Sequence, residues 1–305
     1  MPVYWEAATN EDCMTPSPSP TPHDDRPVHP LERKPVHPLN RPPAPDPGDD
    51  GAPGTQIAKV EFAYQRPKRA RVTMALIVIN LAIFALTFIA PAFNRELLLN
   101  AANQPIAVLD AGEYWRLFTA MFLHAGLAHV MLNMLALYSL GTVLEIRFGH
   151  IRFALIYLLG GLVGSVLSAA LNAPMTFSVG ASGAVFAVFG AEAAHLYTNW
   201  RVMGPGARPR LRQVILLAVL NFSIGFFGNL TGGGLFLIDN WAHVGGFVGG
   251  MVLAALIGPL YRIEVDRVNT RVIVHDQRPL PHTIPTVITF AAGVLALLVV
   301  AVILR

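Results

Sequence analysis

From about residue 70 onward the chain is a succession of apolar stretches separated by short polar connections. They run approximately over 72–93, 122–143, 150–171, 181–198, 212–230, 240–261 and 284–304. A helix needs about 20 mostly apolar residues to cross the hydrocarbon core of a bilayer. The pattern therefore predicts seven spanning helices. The fourth stretch is short and rich in glycine and alanine, so its hydropathy alone is weak, and its place between clear neighbours supports it. The expected fold is all-α, a polytopic transmembrane helical bundle.

Basic residues test this count and give it a direction, because loops on the cytoplasmic side carry an excess of Lys and Arg. Lys68, Arg69 and Arg71 precede the first stretch. Arg147 and Arg152, then Arg201, Arg208, Arg210 and Arg212, then Arg262, Arg267, Arg271 and Arg278 follow at alternate connections. The intervening stretches 172–180 and 231–239 have no basic residue, and only the long first connection carries Arg95 and Arg116. The expected topology puts the N-terminus in the cytoplasm of a cell whose plasma membrane holds the protein. Composition agrees, with 53% hydrophobic and 13% charged residues against roughly 25% charged in soluble domains. The net charge of +3 is then a topological signal, and no nucleic-acid partner is expected.

Residues 1–66 are of another kind. Fifteen of the 24 prolines fall within residues 1–67, and "PVHPL" occurs at 27–31 and again at 35–39. Such a segment lacks the apolar surface to offset its ordering entropy. A disordered, Pro-rich cytoplasmic tail is expected, with a polyproline-binding partner as one use and a solvated linker as the plainer one. Residues 1–20 hold no apolar run, so no signal peptide is expected there. The single cysteine, Cys13, excludes an intramolecular disulfide and any cysteine-cluster metal site. The remaining divisions are a six-helix core over 67–262, a cytoplasmic connection over 263–283 and a seventh helix over 284–305.

With direction assigned, polar residues inside the apolar stretches can be compared in depth. The second, fourth and sixth stretches all run inward from the outer surface. In "FLHAGLAHVMLNML", His129 and Asn133 are four residues apart, on one helical face. Ser182 in "GASG" begins the fourth stretch, and His243 in "DNWAHVGG" lies near the start of the sixth. Polar side chains at membrane depth are costly and face the bundle interior or a wet cavity. Small residues such as Ser182 also pack helices with no chemistry, as Gly160, Gly164, Gly246 and Gly250 are expected to do. The coincidence of four polar groups at one level favours chemistry. An imidazole can take the proton from a serine hydroxyl and make it nucleophilic. The Ser182 amide, near a helix N-terminus, and the side chains of His129 and Asn133 can donate to a developing oxyanion.

A third, acidic member is not expected. Glu192 lies ten residues past Ser182, roughly 15 Å deeper, and is expected to pair with His195 at the inner mouth. Asp239 is expected to cap the sixth helix. His124, five residues before His129, is expected on another face, towards the interface or water.

These motifs resemble those of the rhomboid intramembrane serine proteases. "GASG" is similar to the family's GxSG nucleophile motif, "HVMLN" to its HxxxN motif, and "WAHVGG" to the segment bearing the base. "YWRLFTAMFLHAGLAH" resembles the first outer loop with its tryptophan-arginine pair, here Trp115 and Arg116. The resemblance covers about residues 70 to 262 and implies a Ser182–His243 dyad with an oxyanion hole of His129, Asn133 and the Ser182 amide. Gly180, Gly183, Phe186, Trp115 and Arg116 take supporting places. Many bacterial members carry a tyrosine where this chain has Phe186, so the ring is retained without its hydroxyl. The last stretch resembles the six-plus-one form of the family.

The implied activity is endopeptidase cleavage of transmembrane protein substrates within the bilayer, with no cofactor and no metal. "TGGGL" at 231–235 is expected to be a flexible cap, and Phe222, Phe226 and Phe227 to be obstructing side chains on the fifth helix. Three rivals remain: a transporter lined by the same polar groups, a non-catalytic relative that binds membrane-protein clients, and a zinc protease, which would need an HExxH motif that the chain lacks.

Overall fold

The computed structural model of the chain describes residues 59–62, 66–230, 238–266 and 271–305. The expected tail, apart from 59–62 and Arg66, and the "TGGGL" segment lie outside the described residues.

Apolar runs become helices because a chain in lipid must satisfy its backbone groups internally. Helix α1 (Arg71–Ile89) is followed by α2 (Pro91–Ala101), then by the short α3 (Arg116–Thr119) and a single tight turn, Ala120–Phe122. Helices α4 (Leu127–Ala136) and α5 (Thr142–Phe148) join through a wider turn at Leu137–Gly141, so that Leu127–Phe148 forms one span. Helices α6 (His150–Leu171), α7 (Ser182–Met203), α8 (Ala207–Leu230), α9 (Asn240–Ile257) and α10 (Ile284–Ile303) follow. By length and composition, six helical segments among the described residues can cross a membrane. Helix α7 is absent from those six. It is 22 residues long and almost wholly buried among its neighbours, and it carries Glu192, His195 and Asn199.

The second span begins five residues later than the hydropathy pattern suggests. The apolar run from Phe122 is broken at Leu123, where the backbone turns extended, and the helix restarts after Gly126. That leaves 123–126 as a loop, with consequences for His124.

Helices α6, α7 and α9 form the centre, and glycine permits their approach. A Cβ on Gly246 or Gly250 of α9 would lie 2.0 Å from the carbonyl oxygen of Gly183 or Ala187 on α7. A Cβ on Gly164 of α6 would lie 2.5 Å from the Ala242 oxygen, and one on Gly160 2.5 Å from the Ala187 Cβ. All four glycines therefore pack helices, as the sequence suggested. Around them Phe153, Ile156, Tyr157, Leu137, Leu144, Leu196 and Leu253 fill the core. A second cluster joins α10 (Leu298, Ala301) to Val108, Leu109 and Leu117 of the first connection.

At the end of the bundle away from Ser182, buried charges join the helices. Glu145 accepts from the Val72 and Thr73 amides and the Thr73 hydroxyl at 2.6–2.9 Å, capping α1 from α5. Glu192 takes Arg147 at 2.8 Å and Arg210 at 2.9 Å, linking α7 to α5 and α8. This corrects the expected pairing of Glu192 with His195: His195 Nδ1 instead meets Asn199 at 3.1 Å. A carboxylate prefers two guanidinium groups within reach to a weakly basic imidazole.

A three-stranded sheet in the order β1-β3-β2 was not foreseen. It is built from β1 (Lys59–Phe62), β2 (Tyr261–Asp266) and β3 (Arg271–Asp276). Strand β3 pairs antiparallel with β2, Tyr261 opposite Asp276, and parallel with β1, Lys59 opposite Arg271. Strand β2 crosses the boundary set at residue 262, and β1 lies in the stretch assigned to the tail. The sheet is fastened to the bundle by the Tyr261 amide on Asn199 at 2.9 Å and by Arg152 on Asp276 at 2.8 Å.

Candidate functional site

Ser182 is the first residue of α7, so its amide has no acceptor within the helix. The chain enters through Gly180 at φ 131°, a left-handed conformation that side chains rarely adopt. The glycine is also needed for space. A Cβ there would lie 2.8 Å from His129 Cε1 and Nε2, and 3.7 Å from the Ser182 hydroxyl. His129 and the Ser182 hydroxyl thus border the same space left by the missing side chain of Gly180. A small pocket opens at this point, lined by Gly180, Ser182, Gly183, Ala242, Ala120 and Met121 among others.

Helix α9 brings the imidazole. Asp239 caps it by accepting from the Ala242 amide at 3.0 Å, as expected, and also takes the hydroxyls of Ser168 and Ser178. One carboxylate so ties α9 to α6 and to the segment leading into α7. His243 is buried at 6% exposure. Its ring stacks on Phe186 with centroids 4.1 Å apart and planes 10° from parallel. Phe186 is one helical turn past Ser182, on the same face of α7. The ring of His243 is therefore held beside that face. No hydrogen bond joins the Ser182 hydroxyl to His243 among the described residues, and in substrate-free sites such bonds often tighten only around the reacting group.

The residues 111–260 match the family model of the Rhomboid domain. The chain belongs to the rhomboid family. It is 42% identical to RHOMBOID-like protein 2 of Arabidopsis thaliana over 165 residues, 53% of this chain and 49% of that protein. It is 34% identical over 201 residues to Rhomboid protease GluP of Bacillus subtilis (strain 168), 66% of this chain and 37% of that one. It is 33% identical over 144 residues to Inactive RHOMBOID-like protein 8 of Arabidopsis thaliana, 47% and 38% respectively. The chain spans about half the length, or less, of these curated relatives. These relatives thus include one named as a protease and one named as inactive.

The remaining residues expected at the site fall as follows. Asn133 is buried, and its amide donates to the His129 carbonyl at 3.0 Å, which leaves one N–H to give. Gly183 faces Ala242: a Cβ on it would meet the Ala242 oxygen at 3.4 Å. Arg116 is buried, paired with Glu113 and donating to the Ala102 carbonyl at 3.0 Å. Trp115 is 54% exposed and holds only the Asn100 carbonyl, at 3.1 Å. Both support the first connection rather than line the pocket. On α8, Phe226 and Phe227 are exposed, while Phe222 packs into the main core.

His124 lies elsewhere than expected. It is 5% exposed, its ring meets His129 edge-on at 5.2 Å, and its Nε2 faces the Ala181 amide at 3.5 Å. Helical face arithmetic placed it elsewhere, but residues 123–126 are not helical, so the arithmetic did not apply. The signal available was Gly126, which favours a break just before the second histidine.

Proposed function

We propose that this protein is an intramembrane serine endopeptidase acting through Ser182 and His243. The observation that carries the reading is the parallel stack of His243 on Phe186, one turn from Ser182. The stack sets the imidazole beside the face of α7 that begins with Ser182, which supports a dyad of the two residues. Both residues that an inactive relative would be expected to lack are present.

In this mechanism His243 accepts the Ser182 proton as the hydroxyl oxygen attacks the carbonyl carbon of the scissile bond. The negative charge on the carbonyl oxygen is met by the Ser182 amide, His129 and the free N–H of Asn133. His243 then returns its proton to the leaving amine, the C–N bond breaks, and water hydrolyses the acyl-serine by the same steps in reverse order. Each oxyanion donor contributes about 3 kcal/mol to such a transition state. The wall of Ala120, Ala242 and Gly183 suits a small side chain next to the cleaved bond. Substrates are transmembrane proteins whose helix unwinds locally, since a helix hides its carbonyls. The alternating arginines support a plasma-membrane topology with the N-terminus cytoplasmic and the pocket towards the outer side.

The test is cleavage of a transmembrane model substrate by the purified protein in liposomes. Ser182→Ala should abolish cleavage and leave the thermal unfolding temperature unchanged. Cleavage persisting in that variant would overturn the mechanism.

A further inference from the structure

At the far end of α7 the chain turns sharply into α8, and this corner is strongly basic without being neutralised. No Asp or Glu occurs between Ala193 and Ile238. Arg210 reaches back to Glu192, but Arg201, Arg208 and Arg212 have no acidic partner among the described residues. Two of these are held together. The guanidinium carbons of Arg208 and Arg201 lie 4.1 and 5.2 Å from the centre of the Trp200 ring. Cations gathered at one indole make a positive site that an anion lying beside them would stabilise. Arg208 also stands in the first turn of α8, the positive end of the helix dipole, where a cation is disfavoured and an anion favoured.

Below the arginines the same helix turns apolar. Arg208, Arg212, Leu216 and Leu220 follow at intervals of four, one stripe along α8. Leu216 is 57% exposed and Leu220 48% exposed. Charge at the top and open hydrocarbon beneath, on one line of one membrane helix, match a single kind of molecule.

We propose that this corner binds an anionic glycerophospholipid, its phosphate held by Arg201, Arg208 and Arg212 beside Trp200 and an acyl chain laid along Leu216 and Leu220. The site lies at the opposite end of α7 from Ser182 and does not depend on the protease reading. A simple excess of surface charge would make all arginines on this side equivalent. The Trp200 platform and the aligned stripe make these three distinct from Arg262, which is exposed on β2.

The test is native mass spectrometry of the detergent-solubilised full chain titrated with phosphatidylglycerol or phosphatidylcholine. Phosphatidylglycerol should form a one-to-one adduct at concentrations where phosphatidylcholine does not. The double variant R208Q/R212Q should weaken that adduct about tenfold, while R262Q leaves it unchanged. If the double variant proves unfolded by thermal scan, R208Q alone should weaken the adduct about threefold. Equal binding of the two lipids, or equal loss in R262Q, would overturn the proposal. Displacement of the lipid by soluble glycerol phosphate or inorganic phosphate would also overturn it, by showing a site for free anions.

Discussion

Replacing Gly246 by alanine would place a methyl carbon 2.0 Å from the carbonyl oxygen of Gly183 and 2.8 Å from its carbonyl carbon. Ordinary contact begins near 3.5 Å, so α7 and α9 would have to separate locally by roughly 1.5 Å. Neither partner can yield by a rotamer change, because the obstruction is backbone. Gly183 follows Ser182 directly, and Gly246 is less than one turn past His243, so the shift falls on both residues of the proposed dyad. Overpacking of this size costs about 1–3 kcal/mol of stability, and a misplacement of about 1 Å costs on the order of a hundredfold in rate. The assay is substrate cleavage in liposomes, normalised to folded protein by thermal unfolding. Gly293→Ala on α10 is the control, since a Cβ there has nothing within 4 Å. Cleavage by Gly246→Ala as fast as by Gly293→Ala would show that the α7–α9 approach does not set the rate.

Further substitutions separate positioning from stability. Phe186→Leu removes the ring that holds His243 and should slow cleavage about tenfold with little change in unfolding temperature, whereas Phe186→Tyr should retain activity. Glu192→Gln leaves Arg147 and Arg210 without their shared carboxylate and should cost about 2–3 kcal/mol, discounted for the partial exposure of Arg210. Thermal unfolding reads that loss, and activity per folded molecule should survive it. Arg116→Ala should destabilise the first connection by about 2–3 kcal/mol because the buried Ala102 carbonyl loses a charged donor, while Trp115→Phe should cost under about 1 kcal/mol. Equal effects of these last two in a thermal scan would contradict the assignment of Arg116 as the brace.

Periodicity and charge revealed the helices because the bilayer leaves the backbone few options. The boundaries of α6 and α10 match the apolar runs closely, and α7 is weak in hydropathy because its burial lets polar residues replace apolar ones, so only its place between clear neighbours marks it. Residues outside the regular helices were harder to read. His124 was placed on a helix that had not yet begun, and the sheet strands 261–266 and 271–276 looked like a plain connection because short amphipathic strands leave little trace beside 20-residue apolar runs. Glu192 was paired with its sequence neighbour, whereas its true partners, Arg147 and Arg210, come from other helices. Local spacing shows which residues share a face, but not what the bundle brings against it.

In the proposed mechanism Ser182 is activated by His243. Labelling the detergent-solubilised protein with a fluorophosphonate probe and mapping the adduct by peptide mass spectrometry tests it directly. Modification is expected at Ser182 in the wild-type chain, and none at that residue in His243→Ala protein that unfolds at the same temperature. Undiminished labelling of Ser182 without His243, or no labelling of Ser182 in the intact chain, would contradict it.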